Sequence, residues 1–291
     1  MDTNEFLIEY NNKIKPRLKK FENKRKLYAF TSVFSMIAAY FLLISTVAFG
    51  NYIDEHFGKF GALPPLLAFL LLMLSGAVYS YFQINFELNL KKDIMPLFCK
   101  CMGNIQWAHA AQLFSNDTML ITRSRLLPPG FLDITLDDTF TGITEKGNWY
   151  KVSEVKPYNQ VFIFLKFKGK NYSNTILMPK GEFQQSYMLK KIYLEDVKLD
   201  KIYDIYSDDE VEARYLLNPS LMEKISNLGK TYDGKKLGLS FFGNNLVIRI
   251  ETYGDAFQIG GLFTSVNKDH SFFKLHDEIL AVQQLVKYFE N

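Results

Sequence analysis

Two stretches without a charged residue, Leu27 to Ile53 and Phe60 to Phe86, interrupt an otherwise charged chain of 291 residues. A helix needs about 20 mostly apolar residues to cross a bilayer core, and each stretch supplies that length. A charge at mid-bilayer costs about 2.5 to 3.5 kcal/mol, and neither stretch contains one. Tyr28, Tyr52, Tyr79 and Tyr81 lie near their margins, where amphipathic rings prefer to sit. The first stretch is too long for the apolar part of a secretory signal, about 7 to 15 residues. Residues 27–86 are therefore expected to form a transmembrane helical hairpin, with helices at about 28–50 and 63–83.

The flanks orient it. Lys13, Lys15, Arg17, Lys19, Lys20, Lys24, Arg25 and Lys26 precede the first helix, and Lys91, Lys92 and Lys100 follow the second. The intervening Asn51 to Gly61 loop has Lys59 against Asp54 and Glu55. Basic residues stay on the cytoplasmic side, so both termini are expected there. Small residues one turn apart, Ser35 with Ala39 and Gly76 with Ser80, would let the helices approach closely.

Residues 1–26 place Phe6, Leu7, Tyr10, Ile14, Leu18 and Phe21 at helical spacing among lysines, a basic amphipathic segment for the inner leaflet or for packing on the soluble part. Pro16 should kink or break it. Residues 87–115 read as a helical stalk interrupted near Pro96, and residues 116–291 as a cytoplasmic α+β domain. From Thr118 to Pro179 short runs rich in Ile, Thr, Val, Phe and Tyr, punctuated by Pro128-Pro129-Gly130, Gly147-Asn148 and Gly169, predict strands and turns. Val161 to Phe167 is almost wholly apolar, the mark of a strand covered on both faces. Leu237 to Phe241 and Leu246 to Ile250 alternate around Gly243-Asn244-Asn245, a hairpin, and a helix from about Ser271 closes the chain. The fold class expected is α+β, mainly antiparallel, with inserted and C-terminal helices; a small pleckstrin-homology-like barrel is the alternative.

Ser207-Asp208-Asp209-Glu210 has capping-box form, with Ser207 accepting the Glu210 amide and Glu210 reaching back. Glu210 and Arg214 can pair at i,i+4, Val211 and Tyr215 share a face, and Glu212 adds a carboxylate near the positive helix end. Asn218-Pro219 ends this helix and starts the next, which Gly229 stops. The acids are read as structural, with an enzyme built on Asp208, Asp209 and Glu212 as the rival. Asp133, Asp137 and Asp138 lack calcium-loop spacing and read as a solvated strand edge or turn. His109 has no partner at ligand spacing. Cys99 and Cys101 make neither an ordinary disulfide nor a matched zinc set. Gly260-Gly261 lacks a phosphate-loop context, and His56, His270 and His276 have no nucleophile elbow to serve. No catalytic, cofactor or metal residue is assigned.

The run from Ile205 through Tyr206-Ser207-Asp208-Asp209-Glu210-Val211-Glu212-Ala213-Arg214-Tyr215 to Pro219 resembles the signature of DUF3137, a bacterial family without assigned function. The basic segment, the hairpin, Asp138-Thr139-Phe140-Thr141-Gly142 and Ser153-Glu154-Val155 extend the likeness, while the unbroken Val161 to Leu165 run departs from the glycine-bearing strand of many members. The resemblance implies a bacterial inner-membrane location and no activity. Net charge of +3 and a pI near 8.5 are too mild for a nucleic-acid surface. The expected partners are the bilayer and another protein or a lipid headgroup; an accessory transport subunit ranks behind these, because its spans offer few polar residues.

Overall fold

The computed structural model describes residues 3–50, 52, 63–103, 105–109, 115–127, 134–182, 189–194, 197–267 and 269–290. The loop around Asn51 to Gly61, apart from Tyr52, the Pro128-Pro129-Gly130 turn and Asp133 lie outside them. The chain forms two compact units: residues 2–98 with 259–269, and residues 99–258 with 270–291.

The first unit is helical. Helix α1 (Thr3–Glu9) passes through a π-turn (Tyr10–Ile14) into α2 (Lys15–Ala48), and α3 (Leu63–Cys101) follows. Pro16 does not break the helix as expected. Its ring would crowd the carbonyl one turn back, and the π-turn widens the helix there, with the Lys15 amide donating to the Tyr10 carbonyl. Nor does Pro96 interrupt α3. A proline inside a helix costs about 3 kcal/mol, whereas each buried apolar side chain returns roughly 1.5 to 3 kcal/mol, and Ile94, Met95 and Phe98 are all buried beside it.

Helices α2 and α3 are inside out by the standards of a water-soluble helix pair. Phe30, Phe34, Ile37, Phe41, Leu67, Leu70 and Leu74 are exposed, while Ser32, Ala39, Ala68 and Ser75 are buried. Ser80 is exposed and returns its hydroxyl to the Gly76 carbonyl, so the buried small residue at that level is Ser75. Rings tie the two helices together: Tyr28 stacks on Phe82 at 4.8 Å, and Phe21 meets Phe86 edge-on at 6.2 Å. Both helices are long and apolar enough to span a membrane.

The amphipathic face of α1 is covered by protein: Phe6, Tyr10, Ile14 and Leu18 are buried, with Phe6 edge-on to Phe98 at 5.8 Å. Residues 259–269 clasp the basic end of α2. The Glu22 carboxylate accepts from the Arg25 guanidinium, from Ser265 Oγ and from the Val266 amide, while Arg25 Nη1 also donates to the Leu262 carbonyl. The Arg25 hydrogen bonds hold the Glu22 carboxyl below its usual range. Tyr10 donates to Asp269 Oδ1 at 2.7 Å, and Phe263 stacks on Tyr79.

The second unit is one antiparallel sheet: β1 (Ile105–Ala108), β2 (Thr135–Ile143), β3 (Trp149–Lys156), β4 (Gln160–Lys166), β5 (Tyr172–Pro179), β6 (Lys190–Ile192), β7 (Tyr203–Ser207), β8 (Lys236–Gly243) and β9 (Asn245–Glu251). Their order is β1-β2-β3-β4-β9-β8-β5-β7-β6. Its helices are α4 (Ser115–Ser124), α5 (Val197–Ile202), α6 (Glu210–Leu216), α7 (Pro219–Thr231) and α8 (Asp269–Glu290), the last counted here from His270.

The sheet is open, with β1 and β6 at its two edges, so the barrel alternative does not hold. Helices cover the faces instead of the sheet curling on itself. On one face Ile121 of α4 joins a core with Leu136, Phe162, Phe164, Met178 and Val247. On the other, Phe289 of α8 meets Phe241 at 5.9 Å and Gln283 donates to the Tyr150 hydroxyl. β4 is accordingly buried on both sides, as its apolar run predicts. Tyr150 reaches Gln283 across Gly142, where a Cβ would stand 2.3 Å from the ring.

Two elements depart from expectation. The stalk ends at Cys101, and Gly103, at φ +98°, turns the chain into β1. Residues 118–124 are helical, because Ile121 and the following Leu126 must reach the core from one side of the sheet. At a smaller scale, α7 runs through Gly229 to Thr231.

Candidate functional site

The acids at the start of α6 are each held by a partner. Asp209, not Ser207, is the N-cap: its Oδ1 accepts from the amides of Val211 and Glu212, both at 3.0 Å. Ser207 belongs to β7, is buried, shares a hydrogen bond with Thr175 Oγ1 and accepts from the Asp209 amide. The cap falls two residues later than the capping-box pattern because β7 needs Ser207 for pairing with Thr175 and Lys190. Asp208 accepts from the Asn174 amide at 2.9 Å, and Glu212 from the Ser173 amide at 2.8 Å. Glu210 takes two donors from Arg214, the expected i,i+4 pair. Tyr215 and Val211 project outward, 80% and 79% exposed.

A second acidic group forms where β1, β2, β3 and the turn after β9 meet. A β-bulge interrupts β2 between Asp137 and Thr139, and the extra residue, Asp138, takes φ +33°. Aspartate tolerates left-handed backbone better than most residues, and a bulge re-aims a side chain. Asp138 is fully buried, which corrects its reading as a solvated edge. Its Oδ1 accepts from Trp107 Nε1 at 3.1 Å, and His109 Nδ1 stands 3.2 Å from Asp137 Oδ1.

Glu154 of β3 is 0% exposed. Its Oε1 lies 3.0 Å from Lys156 Nζ and accepts from the Ala256 amide, while its Oε2 has no hydrogen-bond partner among the described residues. Burial, reinforced by Asp255 and opposed by Lys156, pushes this carboxyl up to about 7. One oxygen each from Asp138, Glu154 and Asp255 fall within 4.8 Å of one another, and single ligand atoms of His109, Asp137 and Asp138 do the same.

Residues 158–291 match the profile of the family described as Protein of unknown function (DUF3137). The match spans 134 of the 291 residues. No curated protein and no solved structure matches the chain. The DUF3137 region holds the entire β7–α6 corner and its signature run. The basic segment, the hairpin and the Asp138 to Gly142 run lie outside the matched DUF3137 residues. The bulge group straddles the boundary, with Asp255 inside and His109, Asp137, Asp138, Glu154 and Lys156 before it.

The residue pattern singled out the corner and passed over Glu154 and Asp255 as ligands. A signal for Glu154 does exist: β3 buries the charged residues Lys151 and Glu154 among apolar neighbours. Lys151 is satisfied by Asp117 at 2.8 Å, which leaves Glu154 as the anomalous one. Asp255 has no such signal, being one acid in a polar turn. Cys99 and Cys101 are buried, and burial pushes the Cys99 thiol up to about 12, far from a reactive thiolate at neutral pH.

Proposed function

We propose that this chain is an integral membrane protein whose hairpin, α2 with α3, crosses the bilayer with both termini on the cytoplasmic side, and whose sheet unit is a binding module for another protein there. The carrying observation is the inside-out hairpin. In a water-soluble protein the most apolar window of each helix would be mostly buried; in both of these it is 11% buried. Small residues at the buried positions and large apolar ones outside match helix pairs that pack in lipid. The basic residues in the first part of α2 and beyond the middle of α3 support the orientation.

The surface of α6 supports a protein partner over a lipid headgroup. Val211 and Tyr215 form an exposed apolar and aromatic pair one turn apart, the kind of surface that partner proteins cover. The carboxylates beside it are already engaged by backbone amides or Arg214, which leaves the acid–base reading of Asp208, Asp209 and Glu212 without a free group.

Alkaline carbonate extraction of membranes from expressing cells tests the anchor: the chain should stay in the pellet, and reporters fused to its two ends should both read cytoplasmic. Release by carbonate, or ends on opposite sides, would rule the hairpin out. Photo-crosslinking from position 215 should trap a protein adduct; adducts with lipid alone would turn the reading to headgroup binding.

A further inference from the structure

We propose that Asp138, Glu154 and Asp255 form a binding site for a hard divalent cation of the manganese, magnesium and calcium class. The three carboxylates come from a bulged strand, its neighbour and a distant turn, and each brings an oxygen to within 4.8 Å of the others. Sequence neighbours on a helix face cluster by accident of spacing; here the fold itself gathers them.

The observation that points to a ligand is Glu154. It is fully buried, and its Oε2 has no hydrogen-bond partner among the described residues. A buried polar atom left in this state is costly unless something meets it, and it belongs to the carboxylate that lies within ligand distance of both Asp138 and Asp255. Asp138 is prepared for the same task, because the bulge and its left-handed backbone re-aim it and Trp107 Nε1 donates to its Oδ1. Metal ligands are commonly oriented by such a second donor.

Oxygen-only ligation selects hard cations and disfavours copper and zinc. His109, 3.8 Å from Asp138 Oδ1 and 3.2 Å from Asp137 Oδ1, makes manganese the best probe, since manganese accepts imidazole as well as carboxylate. Entry is from the side of Asp255 and Lys156, both partly exposed. Lys156 stands 3.0 Å from Glu154 Oε1 and 3.6 Å from Asp255 Oδ2, the position a counter-ion takes, and its flexible stem lets it leave. The ammonium and the metal therefore compete, which separates this site from a simple ion-pair cluster: removing the lysine should strengthen metal binding.

The full chain in detergent micelles, stripped with chelator and desalted, would be titrated with Mn2+ and free Mn2+ followed by its paramagnetic resonance signal. The expected result is saturable uptake of one ion per chain, tightened about tenfold or more by Lys156→Met, because site charge sets cation affinity over decades. Asp255→Asn, at a partly exposed turn, and Glu154→Gln should each weaken it about tenfold or more. Near-ultraviolet circular dichroism checks that each variant is folded. Absence of saturable uptake by both the parent and Lys156→Met would overturn the site, and so would uptake that Asp255→Asn leaves unchanged.

Discussion

The β7–α6 corner and the β2 bulge each gather four carboxylates and treat them in opposite ways. At the corner Asp208, Asp209, Glu210 and Glu212 sit near solvent, and each accepts a hydrogen bond from a backbone amide or from Arg214. At the bulge Asp137, Asp138, Glu154 and Asp255 converge around a strand irregularity, two of them fully buried, and one oxygen of Glu154 is left over. The corner uses acids to start a helix. Acid density along the chain therefore says little about chemistry, whereas burial combined with a missing partner says a great deal.

That contrast can be sharpened with a third acid. Among the described residues, Glu278 of α8 is buried with neither side-chain oxygen hydrogen-bonded, but it belongs to no metal-sized group of three. Burial, helped by Asp233 and Asp277 and opposed by Lys274, pushes its carboxyl from the ordinary 4.5 up to about 8. Between those values the unfolded chain holds fewer protons than the folded one, so stability should fall as pH rises from about 4.5 to about 8 and level off above. The full effect is on the order of 5 kcal/mol. Glu278→Gln should remove that slope and raise the melting temperature most at the alkaline end; parallel melting curves for parent and variant across this window would show the acid is not neutral in the fold.

A smaller effect is expected at the corner. Asp209→Ala should cost about 1 kcal/mol through loss of the N-cap, measured by thermal melting, and added Mn2+ should not restore it. A cation-dependent rescue there would erase the distinction between the two acidic groups. Smallest is Glu210→Ala, about 0.3 to 0.5 kcal/mol, because an exposed i,i+4 pair contributes little; a loss larger than that of Asp209→Ala would return the cap to the capping-box form.

What could be read from the residues follows from how local each cause is. The two long apolar helices were legible because an unbroken apolar stretch is a feature of composition alone, and β3, β4 and the β8–β9 hairpin because alternation and turn residues are local. The capping assignment slipped by two residues because the pairing of Ser207 with Thr175 is a tertiary fact. Helix α4 was hidden because Thr118, Ile121 and Thr122 favour strands, and packing against Leu126 and Phe162 overrides that preference. The bulge at Asp138 and its convergence with Asp255 depend on the register of β2 against β3 and on where the chain goes after β9, and neither is written in any short run of residues.

The clasp of residues 259–269 on α2 bears on how this molecule can be taken apart. After β9 the chain leaves the sheet unit, contributes Leu262, Ser265 and Val266 to the helical unit, and only then returns as α8. A fragment beginning after the hairpin would keep all nine strands yet carry this passage without Glu22 and Arg25 to receive it, with Ile259, Leu262 and Val266 bared to water. Truncation between the helical unit and the sheet unit should therefore yield a sticky remnant rather than an independent domain.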